Sequence, residues 1–445
     1  MHRALKRYRA SIPKAVLEHG EGVLADKSAD LASLACEKIR PHAIYSALRR
    51  FQLACATSKN PHFHQQIEDG FQDNLSWGGP SARVSGALGL MLLARCQSVK
   101  DLAMFRAIKK LSRDKVAPVR HQVTGHLGFI AKWDDRWIWK EIDHVLSREA
   151  TRGVVLGAIH SLGSVARNDL NRTIQLAKSV LSRYGVDNEP GTAACRESAV
   201  ALIFDIHIHE AYPEATLFVE ALIRDLGSNA KLIANLIARS SDRLLVDDDS
   251  RKRGIAFYWS VTNTAFSPIE DVARGRDLRG FDSWAAEEQG AVRAMYDVLH
   301  QVSLRLFFAS GANGDGGDPS SPDASKRERL CRETTEIFNR MTSAVVAPVA
   351  HHTIQALETF IAFDPPGVFA QIARSVRSSE IGGYGLEASA AKLIVGIVER
   401  YLADFRFVFV QPERLNDLLG SLDVFVRAGW PDAQALTFRL GEIWR

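Results

Sequence analysis

Cysteine is scarce in this 445-residue chain, which carries only Cys36, Cys55, Cys96, Cys195 and Cys331. The number is odd and no two form a Cys-x-x-Cys pair. That argues against a disulfide framework and a zinc ribbon, and makes a reducing cytoplasm the simplest compartment. Proline (15) and glycine (31) are too few for a fibrous or disordered chain. Long apolar runs are also missing. The most apolar stretch, residues 85–94, falls short of the roughly 20 needed to cross a bilayer, so no membrane association is expected. Near the N-terminus Arg3, Lys6, Arg7 and Arg9 have the charge of a leader peptide's opening, but Pro13, Lys14, Glu18 and His19 interrupt the place of its apolar segment. Excess charge is lacking too. With 56 basic and 52 acidic side chains the formal net charge is +4, which does not imply a dedicated electrostatic nucleic-acid binder but leaves local patches open. Alternating β-branched runs bounded by turns are nearly absent, so no sheet is expected.

What the chain has is apolar residues at helical spacing, repeated. The triplet Val84, Leu88, Met91 returns as Val123, Leu127, Ile130 and as Ala158, Leu162, Val165, at offsets of 39 and 35 residues. Ile44, Leu48, Phe51 carry it back and Ala199, Ile203, Ile206 carry it forward. In the three central copies a glycine follows the middle leucine: Gly89, Gly128 and Gly163. Periods near 40 residues mark helical solenoids, in which a two-helix unit buries its apolar face only by stacking on its neighbours. Asn60-Pro61, Trp77-Gly78-Gly79-Pro80, Ala117-Pro118 and residues 187–191 supply stops and starts between helices. The rhythm resumes in Ala350, Ile354, Leu357, Ile361 and Ala390, Ile394, Ile397, Tyr401, 40 residues apart, and Gly429-Trp430-Pro431 sets off a final capping helix.

Around residues 114–131, Asp114, Val119, Arg120, Leu127, Gly128, Ile130 and Ala131 follow the second-helix pattern of HEAT repeats, and the chain resembles that armadillo-like class most clearly over residues 40–210. The resemblance implies an all-α, right-handed superhelical solenoid of antiparallel helix pairs, with each second helix lining a concave face. The expected organisation is a helical array over 1–310, a flexible Gly/Pro/Ser/Asp linker over 311–325, and further repeats with a cap over 326–445. Residues 382–387 and 427–445 also look like the C-terminal ends of large bacterial NTP-binding proteins of host-defence type.

No cofactor, metal or catalytic residue is expected. His62/His64 and His207/His209 lack the spacing that brings two imidazoles together on a helix, and adjacent His351 and His352 point to different faces. Asp315, Asp318 and Asp323 lack the order and closing glutamate of a calcium loop. The glycines of residues 311–317 lack the lysine and preceding strand of a phosphate cradle. No nucleophile motif stands in a supporting context.

Two clusters are candidates for partner contact. Trp133, Arg136 and Trp137 combine indoles with a guanidinium, a composition typical of interface hot spots, though two tryptophans four apart also suit packing between repeats. Lys109, Lys110, Arg113 and Arg120 form a basic run, which Arg196 joins at the equivalent place in a later unit. The expected function is a non-enzymatic scaffold or adaptor binding a protein partner along the concave face, as many HEAT-like proteins do. Two alternatives are a nucleic-acid-binding solenoid, which requires the basic residues to share one surface, and the helical regulatory portion of a larger NTP-dependent machine.

Overall fold

The computed structural model describes residues 14–38, 42–75, 79–185, 190–240, 245, 248–273, 283–314 and 324–443. These are helical throughout, with no strand among them. Arg3, Lys6, Arg7, Arg9, Asp315, Asp318 and Asp323 lie outside the described residues. Contacts divide the chain into two compact units, residues 1–207 with 212–215, and residues 208–211 with 216–445.

The first unit opens with α1 (Lys14–Lys38), α2 (His42–Cys55) and the short α3 (Gln65–Gly70). It continues through α4 (Ala82–Arg95), α5 (Leu102–Leu111), α6 (Ala117–Thr124), α7 (Asp135–Arg148), α8 (Arg152–Val165), α9 (Leu170–Arg183) and α10 (Pro190–Glu210). Helices α4, α6 and α8 stack one behind the next, while α5 packs on α4 and α6, α7 on α8, and α9 on α7 and α8. That nearest-neighbour ladder is an all-α solenoid. The repeated triplets are its core: Val84, Met91, Val123, Leu127, Ile130, Ala158, Leu162, Val165, Ala199, Ile203 and Ile206 are all buried. Each fully buried aliphatic side chain contributes about 1.5–3 kcal/mol. Leu88 is only half-buried, and Ile44 is exposed.

Two of the three recurring glycines mark close helix contacts, while a Cβ on Gly163 would meet only Leu202 at an ordinary 3.5 Å. A Cβ on Gly89 would meet the Gln52 side chain at 2.4 Å, and one on Gly128 would meet Ser164 Cβ at 2.6 Å. The continuous helix expected over 114–131 is instead broken. It ends at Thr124 and resumes as a 3-10 turn, residues 127–130. At the break Ser161 Oγ, from α8, accepts from Leu127 N (2.8 Å) and donates to Thr124 O, joining the two helices where Gly125 faces Gly157.

Helix ends are treated in two ways. Asp101, Asp134 and Asp169 cap α5, α7 and α9, accepting from backbone N–H groups at 3.0–3.1 Å. The residues preceding α6 and α8, Val116 and Thr151, make no such side-chain bond. A strap, residues 65–75, crosses those ends instead. Glu68 Oε1 accepts from Ala117 N, Gln72 Oε1 from Arg152 N, Phe71 O from Gly153 N and Asp73 Oδ1 from Gly191 N, at 2.5, 2.9, 3.1 and 3.0 Å. Donors that a helix start leaves unpaired are thus satisfied by a segment up to 118 positions away. Phe71 anchors the strap, fully buried and edge-on to His121 at 5.4 Å.

The second unit holds α11 (Pro213–Arg224, whose first residues belong to the first unit), α12 (Leu226–Arg239), α13 (Asp248–Ala273), α14 (Ala286–Ser310), α15 (Ala324–Met341), α16 (Ala347–Glu358), α17 (Pro365–Ser379), α18 (Ala388–Asp404), α19 (Pro412–Arg427) and α20 (Pro431–Ile443). Helix α14 packs on α12, α13 and α16, and pairs α16–α17, α17–α19, α18–α19 and α19–α20 carry the stack forward. Ala350, Ile354, Leu357, Ile361, Ala390, Ile394, Ile397 and Tyr401 are all buried, as the 40-residue offset requires. Gly429 adopts a left-handed φ of 86° and Trp430 N donates back to Phe425 O, so α19 stops and α20 starts where the sequence signals it. The 382–387 segment is a packed turn. A Cβ on Gly382 would lie 1.9 Å from Val345 O, and Tyr384 is buried edge-on to Phe425.

Candidate functional site

The tryptophan cluster lies where side chains of α5 meet the start of α7. Asp134 caps α7 and so fixes Trp133 just before the helix and Trp137 in its first turn. Trp133 is buried; its Nε1 donates to Gln97 O at 3.1 Å and its ring meets Phe105 at 6.3 Å. It is a packing residue. Trp137 also meets Phe105 edge-on, at 5.3 Å, but stays half-buried, and Arg136 beside it is exposed. Lys109 Nζ sits 5.2 Å from the Trp137 ring and 4.5 Å from the Phe105 ring, while Lys100 covers Phe105 at 4.0 Å and pairs with Asp134 at 3.0 Å. Cations over aromatic faces are attracted by the ring quadrupole. The Lys100 ammonium and the Trp137 N–H hold the Asp134 carboxyl below its ordinary value. Lys109, Phe105 and Trp137 therefore form an ordered ridge with apolar area at its centre and the Lys109 charge at its edge, and Arg136, one position before Trp137, is exposed.

The basic run does not assemble into one surface. Lys109 turns to the ridge, and Lys110 is exposed on a different hollow lined by Lys59 and Lys115. Arg113 is paired with Glu141 at 2.7 Å. Arg120 has a side chain only 13% exposed, and it is consumed internally. Its Nε donates to Glu149 at 2.9 Å, and its Nη atoms donate to Glu68 at 3.0 Å, Thr151 Oγ1 at 3.2 Å and Asp114 O at 2.8 Å. Arg196 donates to the Tyr184 and Gly185 carbonyls. A shared cationic face, as a nucleic-acid reading needs, gains little from Arg113, Arg120 and Arg196, whose guanidinium groups bond carboxylates and carbonyls of the fold.

Thiol chemistry has no footing among the described free cysteines. Burial pushes Cys55 and Cys195 up to about 12 and Cys331 up to about 11, so all three stay protonated and poorly nucleophilic at neutral pH. Cys96 is disulfide-bonded, which removes the argument for a reducing compartment that five unpaired cysteines would carry. Among the described residues no group of three or more His, Cys, Asp or Glu is arranged to hold a metal ion. His351 turns to Tyr384 and His352 to His300 and Phe307, and the two adjacent rings still lie 6.4 Å apart. No helix among those described is long and apolar enough to cross a membrane.

No protein-family model matches the chain, and no curated protein matches it. Similar solved structures include an engineered protein, at 13% identity and a TM-score of 0.30 over 95% of this chain and 98% of that one. Kap121p bound to Pho4p is 12% identical, with a TM-score of 0.34 over 99% of this chain and 50% of that one. Kap95p with RanGDP is 11% identical, with a TM-score of 0.34 over 99% and 67%. With scores this low, the fold assignment rests on the helix contacts described above.

Proposed function

We propose that this chain is a non-enzymatic scaffold that binds a protein partner, and that the α5–α7 ridge is a contact site. The observation that carries the reading is the ridge itself: a half-buried indole, held edge-on by a buried phenylalanine, flanked by the exposed Arg136 and by Lys109. A rigid aromatic anchor with charged neighbours loses little conformational entropy on binding and buries apolar area, the composition of an interface hot spot. The ridge belongs to first helices of the pairs, not to the second helices expected to line a concave face. The protonated, buried thiols and the internally spent arginines support a binding role over a catalytic or nucleic-acid one.

A photo-crosslinking residue placed at position 136, in place of the exposed arginine, tests the site. A discrete protein adduct in cells, absent when the crosslinker is placed at exposed Ser179 on α9, is expected. Equal adducts from both positions, or none from 136, would overturn the assignment.

A further inference from the structure

A second surface in the first unit has a different chemistry. Between the 56–63 loop and the turn joining α5 to α6 lies a hollow of about 400 Å³, lined among others by Lys59, Lys110 and Lys115. All three lysines are exposed, and none makes an ion pair within the described residues. The lone carboxylate in the lining, Asp114, is already neutralised: Arg83 Nε lies 3.1 Å from its Oδ2, and its Oδ1 accepts from Val116 N at 3.0 Å. The same guanidinium fixes the opposite wall, donating to Ser58 O at 2.7 Å and Pro61 O at 2.8 Å. The hollow is therefore preformed and has an uncompensated positive charge. Phe63, 51% exposed at its rim, adds an apolar contact.

We propose that this hollow docks an acidic segment of a partner protein. Charge complementarity selects the ligand's sign, and the surroundings select its length. Arg113, Arg120 and Arg152 are each tied to carboxylates of the chain, so they do not extend the hollow's charge into a longer track. A nucleic acid gains affinity by neutralising many phosphates along a track. Three lysines around one depression fit a short run of carboxylates instead. The proposal rests on the scaffold reading in expecting a protein partner, but it uses residues separate from the ridge.

The test is fluorescence anisotropy on the full chain at about 150 mM salt, where long-range attraction is screened. The probes are a labelled octaglutamate peptide, its octaglutamine counterpart and a labelled eight-nucleotide thymidine strand. Saturable binding of octaglutamate alone is expected, weakened at least tenfold in the Lys110→Glu/Lys115→Glu double variant. Both positions are exposed, and an unchanged circular dichroism spectrum and melt would show that the variant folds. The Arg136→Glu/Trp137→Ala ridge variant should bind the peptide as the parent does, so failure of the ridge and failure of the hollow are separable. Absence of saturable peptide binding, indifference to the lysine changes, or tighter binding of the thymidine strand would each overturn the proposal.

Discussion

Replacing Phe71 by alanine should release the strap and expose the helix ends it covers. Phe71 is 1% exposed, its ring packs on His121, and its carbonyl takes the Gly153 N–H. Truncating a buried phenylalanine costs about 3–5 kcal/mol. The strap's other attachments are Glu68, Gln72 and Asp73, each bonded to a helix start, so loss of the anchor acts on all of them together. Hydrogen exchange reads this residue by residue. Opening that becomes easier by 3 kcal/mol raises exchange through that opening by about a hundredfold, at roughly 1.4 kcal/mol per tenfold. The amides of Ala117, Arg152, Gly153 and Gly191 should lose that protection, while Phe105 N, bonded to Asp101 O within α5, keeps its own. Unchanged protection at the four strap amides would refute the reasoning, and so would a uniform loss across the first unit.

Leu127→Ala and Leu162→Ala each empty a fully buried site and should cost about 2–5 kcal/mol, measured by chemical denaturation; variants that unfold like the parent would show the repeat register to be wrong. Gly157→Val should lower the melting temperature of the first unit, because even a Cβ there lies 2.9 Å from Thr124 Oγ1 and 3.1 Å from Gly125 N. Burial, with His300 and His351 alongside, pulls His352 down from 6.5 to about 4. Asp297 near His300 and Glu387 near His351 act the other way on those neighbours. The unfolded chain then takes up the proton first, so the second unit should lose stability as pH falls from 6.5 to about 4. His352→Gln should flatten that slope in pH-dependent melts, and an unaltered slope would count against it.

The core was legible because burial in a stacked helix pair imposes a spacing that recurs with the repeat. Residues such as Leu162 and Ile394 could be placed from position alone. The break after Thr124 was not legible, since it depends on Ser161, 37 residues away, competing for the backbone. The strap escaped for the same reason. Gln65 to Asp73 reads as a short polar segment, and only the fold brings Glu68 to Arg120 and Asp73 to Arg152. Val116, which has no capping side chain, was the one available signal before α6, whereas Thr151 before α8 reads as an ordinary cap. Charge counting could not pair Arg113, Arg120 and Arg196, because sequence shows a cation's presence and not its partner. Composition singled out Trp133, Arg136 and Trp137, and the separation of packing Trp133 from half-buried Trp137 required the packing against Phe105.

Affinity isolation of the full chain beside its Arg136→Glu/Trp137→Ala variant, with and without nuclease, tests the central claim most directly. The scaffold account predicts a stoichiometric protein that survives nuclease with the parent and is lost from the variant. Nucleic acid recovered with the parent, together with protein whose recovery vanishes on nuclease treatment, would contradict it.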